Sequence, residues 1–299
     1  MGMKMEVLQK SKSRQRLHFF TPLRYPGGKA KISGFVKRVI EANGLLDGEY
    51  VEPYAGGAGI ALELLVQEYV RKIHINDVSR PIYAFWKSIF DHTDEFTRLV
   101  RNTKVTISTW NRQKKILAHP DDHGDLKLGF ATFFLNRTNR SGILNGGVIG
   151  GKDQTGPWKI DARYNVGNLI YRIESIAKFR RRVSLSCEDA LEFMGKRLKS
   201  FPEKTLIYLD PPYYVKGKDL YLDFYTQSDH ASIAKFVAEH ISRQKWIVSY
   251  DNVAPIRNLY SNHEHIIYEL GYSAREVRKG SEVMFFCDSL KIPERRVFV

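Results

Sequence analysis

Five short runs rich in β-branched and aromatic residues punctuate the chain, each of strand length and each followed by a turn signal. Glu49–Tyr54 leads into Ala55-Gly56-Gly57-Ala58-Gly59 and an apolar helical pattern over Ile60–Val70. Lys72–Asn76 leads into Asp77 and a helix from about Arg80. Thr205–Leu209 runs into Asp210, Trp246–Tyr250 ends at Asp251, and Val283–Cys287 comes last. Strands that end in Gly or Asp and alternate with helices specify an α/β fold with a mostly parallel sheet. Ligands bind such sheets beyond the carboxyl ends of the strands. Asp77 and Asp210 are therefore expected at a binding edge.

The middle of the chain breaks this rhythm. From about Trp86 to Ala177 no run resembles a buried parallel strand. Residues 86–137 carry apolar positions at helical spacing, and residues 139–168 are rich in Gly and Asn. This predicts three units: 1–85, a mainly helical insert over 86–177 ending in a looped or hairpin segment, and 178–299.

Charge sharpens the reading. There are 47 Lys and Arg against 33 Asp and Glu, a net charge of +14. The excess lies in two segments, 1–31 and 136–182, each at net +7, while the remainder cancels. The second segment interleaves its basic residues with Trp158, Tyr164 and Tyr171, a composition suited to phosphates and base faces. Nucleic acid is the expected partner. No run of 18 apolar residues offers a membrane span. The first residues hold no apolar stretch of signal-peptide length, so a cytoplasmic place is expected. Cys187 and Cys287 are too few for a disulfide framework, and there is no HExxH pattern, so no metal is expected.

Asp210-Pro211-Pro212-Tyr213 is the sharpest chemical signal. A strand delivers a carboxylate at its end, and two prolines fix φ and leave carbonyl oxygens without competing N–H groups. The exocyclic amine of a base is a poor nucleophile, because its lone pair is delocalised into the ring. The Asp210 carboxylate and the Pro211 carbonyl can accept its two hydrogens, while Tyr213 offers a flat face for stacking. The turn Glu52-Pro53-Tyr54-Ala55-Gly56-Gly57-Ala58-Gly59 permits close ligand approach. Taken alone, it reads equally as a cofactor loop or a generic α/β turn. It is not the dinucleotide fingerprint, since Leu62 occupies the third glycine position. Asp77 suits ribose hydroxyls or a helix cap. Leu23-Arg24-Tyr25-Pro26-Gly27-Gly28-Lys29 fails the phosphate-loop pattern, yet its glycines and Lys29 can face a carboxylate.

Taken together, these motifs resemble the Dam-like, adenine-specific (N6) DNA methyltransferases, in matching order from about Leu23 to Cys287. Leu23–Lys29 is similar to that family's N-terminal motif, Glu52–Gly59 to its methionine-side loop, and Asp77 to its ribose-binding acid. Asp189 resembles its adenine-contacting acid and Asp210–Tyr213 its catalytic motif. Phe134-Leu135-Asn136-Arg137-Thr138 with Gly142 is similar to its target-recognition stretch. The resemblance implies a Rossmann-like fold with a mixed, mostly parallel sheet and an inserted, mainly helical target-recognition domain. It implies S-adenosylmethionine as methyl donor and a target adenine flipped out of double-stranded DNA. Tyr25, Lys29, Glu52, Pro53, Tyr54, Ala55, Gly56, Asp77, Asp189 and Asp210 would hold the cofactor. Arg137, Asn139 and Arg140 are candidates for DNA, because Arg suits guanine and Asn suits adenine in the major groove. Lys178, Arg180, Arg181 and Arg182 are expected along the phosphate backbone. Gly146–Asn165 departs from the members that read GATC, which leaves the target sequence open. Two alternatives stay open from the residues themselves: an RNA or protein amine methyltransferase, and a catalytically silent DNA binder. The role is left open between restriction-modification, phage defence and solitary regulatory methylation; a cognate restriction endonuclease or another defence-system protein is a candidate partner, and monomer and dimer are both admitted.

Overall fold

The computed structural model describes residues 20–24, 32–215, 225–241, 244–272 and 278–293 of the 299-residue chain. Its strands are β1 (Gly48–Glu52), β2 (Val70–Asn76), β3 (Val183–Ser186), β4 (Thr205–Leu209), β5 (Lys245–Asp251), β6 (His265–Tyr272) and β7 (Arg278–Phe286). Among the described residues they form one sheet in the order β3-β2-β1-β4-β5-β7-β6. The first five are parallel, and β7 runs antiparallel between β5 and β6. The central strands are apolar because both faces are covered: β4 is buried throughout, and β5 at all but its two ends. The edge strands differ. β3 buries only Val183 fully. In β6, buried Ile266 and Tyr268 alternate with exposed His265, Ile267 and Glu269.

The order reverses at one place. From β1 the chain winds outward to β2 and β3, then returns to β4 on the other side of β1 and winds outward again. The β1/β4 boundary is thus a topological switch point, the place where sheets of this kind form a ligand crevice beyond the strand ends.

Helices α1 (Ser33–Ala42), α2 (Gly59–Val66), α3 (Arg80–Asp91), α8 (Ala190–Arg197), α9 (Gln227–His240) and α10 (Ala254–Leu259) accompany the sheet. A capping box fixes the start of α9, where Thr226 and Asp229 each bond the other's backbone N–H. The middle of the chain supplies α4 (Thr93–Asn102), α5 (Ile107–Ala118), α6 (Asp125–Thr138) and α7 (Val166–Ala177). From Leu128 to Asn136 every residue of α6 is buried, as befits a helix that is apolar nearly all round. It crosses α3 at Gly129, where a Cβ would lie 2.4 Å from the Ala84 carbonyl oxygen. Phe85 and Phe133 stack across that crossing, with centroids 6.0 Å apart. These helices share one continuous hydrophobic cluster with the sheet, so the central segment extends the main core. Residues 139–165 form a loop folded around Gln154. Its amide donates to the carbonyls of Ile149 and Gly151 and accepts from the Ile160 N–H. The one strand-like pairing there is a single bridge between Asn139 and Val148. No helix among the described residues is long and apolar enough to cross a membrane. Cys187 is half-buried, Cys287 is buried, and both are free thiols.

Candidate functional site

The glycine turn after β1 lies on one side of the switch point. Gly56 and Ala58 adopt left-handed φ values of 46° and 45°, so the backbone bends sharply before α2. Asp77, at the end of β2, latches this turn. The Gly56 N–H donates to its Oδ2 at 2.7 Å, and the Ser79 N–H donates to its Oδ1 at 3.0 Å. The Trp86 indole donates to the Gly56 carbonyl at 2.9 Å. Asp189 follows β3 and caps α8, accepting from the Leu191 and Glu192 amides at 2.9 and 3.1 Å. Asn76, wholly buried and not flagged by the sequence, ties these loops together. Its amide donates to the carbonyls of Pro53 and Glu188, and its oxygen accepts from Ser186 Oγ and the Glu188 N–H.

Glu52 ends β1 below the turn and accepts from the Tyr50 hydroxyl and the Ala61 amide, at 3.1 and 3.2 Å. Burial pushes its pKa up to about 8, against those two donors and with help from Asp210. Tyr54 and Tyr225 meet edge to face at 6.1 Å. Burial raises the Tyr225 phenol to about 12, with nearby Asp189, Asp229 and Asp77 adding to the effect. Tyr225 therefore belongs to the same crevice, although the sequence did not single it out. Tyr25 and Lys29 lie outside the described residues.

The opposite side of the switch point carries Asp210-Pro211-Pro212-Tyr213. The half-exposed Asp210 follows β4, and its Oδ1 accepts from Ser249 Oγ at 2.6 Å. Tyr208 Oη in turn donates to Ser249 Oγ at 2.9 Å. Asp251, two residues further along β5, accepts from the Tyr214 and Val215 amides at 2.9 and 3.0 Å. Tyr213 departs from the sequence reading. It is 2% exposed rather than offering an open face. Its hydroxyl donates to Glu282 Oε1 at 2.5 Å, and Tyr268 donates to the other oxygen of that buried carboxylate at 2.6 Å. In this conformation the ring anchors the turn to β7. His230 packs under Tyr214, with ring centroids 5.2 Å apart, and burial lowers its pKa, favouring the neutral imidazole. Ser249, Asp251, Glu282 and His230 are all additions to the sequence-derived set.

The proposed DNA residues are placed unevenly. Arg140 is exposed. Asn139 is fully buried, with its oxygen accepting from the Trp110 indole and its amide donating to the carbonyls of Ile143 and Leu144. Those internal bonds correct the expectation that it reads a base. Arg137 is only partly accessible, and its guanidinium donates to the carbonyls of Arg163 and Pro22. Asn136 grips Arg24 from both sides, accepting from its N–H and donating to its carbonyl, each at 2.7 Å. The basic run before β3 is half committed elsewhere. Arg180 pairs with Asp91, and Arg182 pairs with Glu68 and braces the carbonyls of Val70 and Arg71. Lys178 and Arg181 are exposed.

A doubly wound α/β sheet with acidic strand ends around a glycine turn, and an Asp-Pro-Pro-Tyr turn across the switch point, is the framework of an α/β protein whose ligand edge lies at the strand ends. The model of the D12 class N6 adenine-specific DNA methyltransferases matches residues 25–272, and the chain belongs to that family. It transfers a methyl group from S-adenosylmethionine to adenine N6 in DNA. The type II methyltransferase M.MjaIII of Methanocaldococcus jannaschii is 21% identical over 235 residues, spanning 72% of this chain and 78% of that protein. Among solved structures, M. capricolum TrmK in complex with S-adenosylhomocysteine matches 86% of this chain and 71% of that one, at 7% identity and a TM-score of 0.35. The rRNA methyltransferase aviRa from Streptomyces viridochromogenes matches 85% and 84%, at 11% identity and a TM-score of 0.33. Likenesses this remote carry nothing about the substrate.

The residues present fit the cofactor. Gly56 and Gly57 carry no Cβ at the turn, Asp77 and Asp189 place carboxylates at neighbouring strand ends, and Tyr54 supplies a half-buried ring.

Proposed function

We propose that methyl transfer takes place at Asp210-Pro211-Pro212-Tyr213, on an adenine flipped out of double-stranded DNA. The observation that carries this reading is the fixed carboxylate of Asp210, at the end of β4 beside the switch point, with Ser249 on its Oδ1. Asp210 and the Pro211 carbonyl accept the two amino hydrogens and draw the nitrogen towards tetrahedral geometry. Pro211 and Pro212 keep the turn rigid, and Tyr213 holds it to β7. The bound cofactor supplies an activated methyl group with a good leaving group, so the chain contributes positioning and exclusion of water. The turn around Gly56, with Tyr25, Lys29, Glu52, Pro53, Tyr54, Ala55, Asp77 and Asp189, forms the cofactor side. Flipping costs a few kcal/mol, offset by contacts in the pocket and to the phosphates.

The segment 86–177, and above all its loop over 139–165, is the recognition surface in this reading. Arg140, Lys152, Trp158, Lys159, Arg163 and Tyr171 are exposed there, a basic and aromatic face suited to DNA. The name of the M.MjaIII relative favours a role as the modification partner of a restriction endonuclease. The enzyme would then work in the cytoplasm at the nucleoid.

The test is single-molecule long-read sequencing of DNA from a methylation-free host expressing the chain, beside an Asp210→Ala control. N6-methyladenine at one recurring motif, absent from the control, is the expected result. Wild-type levels of modification in the control would remove Asp210 from the mechanism.

A further inference from the structure

Four arginines gather where the loop over 139–165 meets the segment leading to Tyr25. Arg24 donates to the Asn139 carbonyl at 3.0 Å, and Arg172 to the Thr21 carbonyl at 3.0 Å. Arg137 bridges the Pro22 carbonyl and the Arg163 carbonyl, the latter at 2.7 Å. Arg163 is exposed, with its guanidinium 5.9 Å from the centre of the Trp158 ring. The group is thus built by backbone carbonyls, and three of its four guanidiniums are partly buried.

Among the described residues, the charged side chains that act on Arg137 and Arg24 are other arginines of the group. Several other arginines are paired with carboxylates: Arg80 with Asp125, Arg180 with Asp91, Arg182 with Glu68, and Arg197 with Glu188. Among the described residues none of the four clustered arginines meets a carboxylate, and Arg172 Nε is buried without a hydrogen-bond partner. Burial lowers the pKa of Arg137, and Arg24, Arg172 and Arg163 lower it further. Burial and then Arg163 do the same to Arg24. A guanidinium keeps its proton regardless, so the mutual repulsion is borne by the fold. Such an arrangement is relieved by an anion that reaches several guanidiniums at once. Phosphate suits it, because its oxygens accept from fork-shaped donors.

We infer that Arg24, Arg137, Arg163 and Arg172 form a seat for a backbone phosphate of the bound DNA. This rests on the reading of the loop over 139–165 as the recognition surface. The seat holds the duplex in place and carries no sequence information.

The experiment titrates the full chain with two duplexes, one carrying the motif methylated by the wild type and one with that motif scrambled, across a range of salt concentrations. The variants are Arg163→Ala, Arg163→Lys and Arg172→Ala, each checked for wild-type melting. For Arg163→Ala, the slope of log affinity against log salt should become shallower by about 0.9, the value for one phosphate contact. The loss should be equal on both duplexes, Arg163→Lys should restore the slope, and Arg172→Ala should reproduce the loss. An unchanged slope in both alanine variants would reduce the cluster to a structural brace. A loss confined to the motif-bearing duplex would make it a base reader, and that also overturns the proposal. Methyl transfer by Asp210→Ala is measured separately: wild-type transfer in that variant, with the slope effect intact, would count against the catalytic reading and leave the phosphate seat standing.

Discussion

The carboxylate of Asp210 is oriented by a relay of two hydroxyls, because Ser249 can aim its hydrogen at Oδ1 while Tyr208 donates to its oxygen. A hydrogen bond to a charged acceptor is worth about 1.5–3 kcal/mol. Ser249→Ala is therefore expected to slow single-turnover methyl transfer about ten- to a hundredfold. Binding of the cofactor and of DNA should stay near wild type, and Ser249→Thr, which keeps the hydroxyl, should recover much of the rate. A change in KM alone would place Ser249 in binding instead. Glu52 makes a prediction about pH. Its folded pKa of about 8 exceeds the ordinary 4.5. Between those values the unfolded chain releases the proton and the folded chain keeps it, so this residue makes stability fall as pH rises through that window. Glu52→Gln should remove that contribution. Its stability relative to wild type should climb from the acid end of the window to the alkaline end, as read by denaturant midpoints. A constant offset would show that Glu52 titrates normally.

At the scale of elements, the α3/α6 crossing admits only glycine at position 129. An added Cβ would face the Ala84 carbonyl at 2.4 Å and Ser88 Oγ at 2.5 Å, and the carbonyl belongs to a helix backbone that cannot easily yield. Gly129→Ala should destabilise the protein by about 1–3 kcal/mol despite the better helix propensity of alanine. An unchanged denaturant midpoint would mean that the two helices separate more easily than their packing implies. The same elements show what the sequence discloses. The five β-rich runs all became strands, and those at Thr205–Leu209 and Trp246–Tyr250 stood out most because they are almost wholly apolar or aromatic and buried on both faces. The edges were harder. β3 is four residues long and mostly half-buried, so it lacks that signature. The Asp210–Tyr213 turn was legible because a diproline after an apolar run is locally distinctive. Its supports were not, since Ser249 lies 39 residues from Asp210 and Glu282 lies 69 from Tyr213. Asn139 was misread for the same reason: nothing adjacent to it reveals that the Trp110 indole, 29 residues earlier, claims its oxygen.

Across the whole molecule, the net charge of +14 is placed rather than diffuse. Of the three residues first assigned to DNA, Arg140 is the one left exposed, on the 3₁₀ turn that follows α6. If it contacts a base edge, Arg140→Ala should cost about 1–3 kcal/mol on the cognate site and much less on a mismatched one, measured as methylation rate. Equal losses on both would make it a phosphate contact. The position of β7 bears on how the protein is made. This strand enters between β5 and β6, and it carries the Glu282 that grips Tyr213. A ribosome delivers Asp210 well before it delivers Glu282. The emerging chain can therefore fold strands β1 to β4 early, while its Asp210–Tyr213 turn stays unanchored until β7 slots home. Methylating capacity should arrive late and abruptly during synthesis, so that a chain stalled before β7 occupies the translation machinery without modifying the genome.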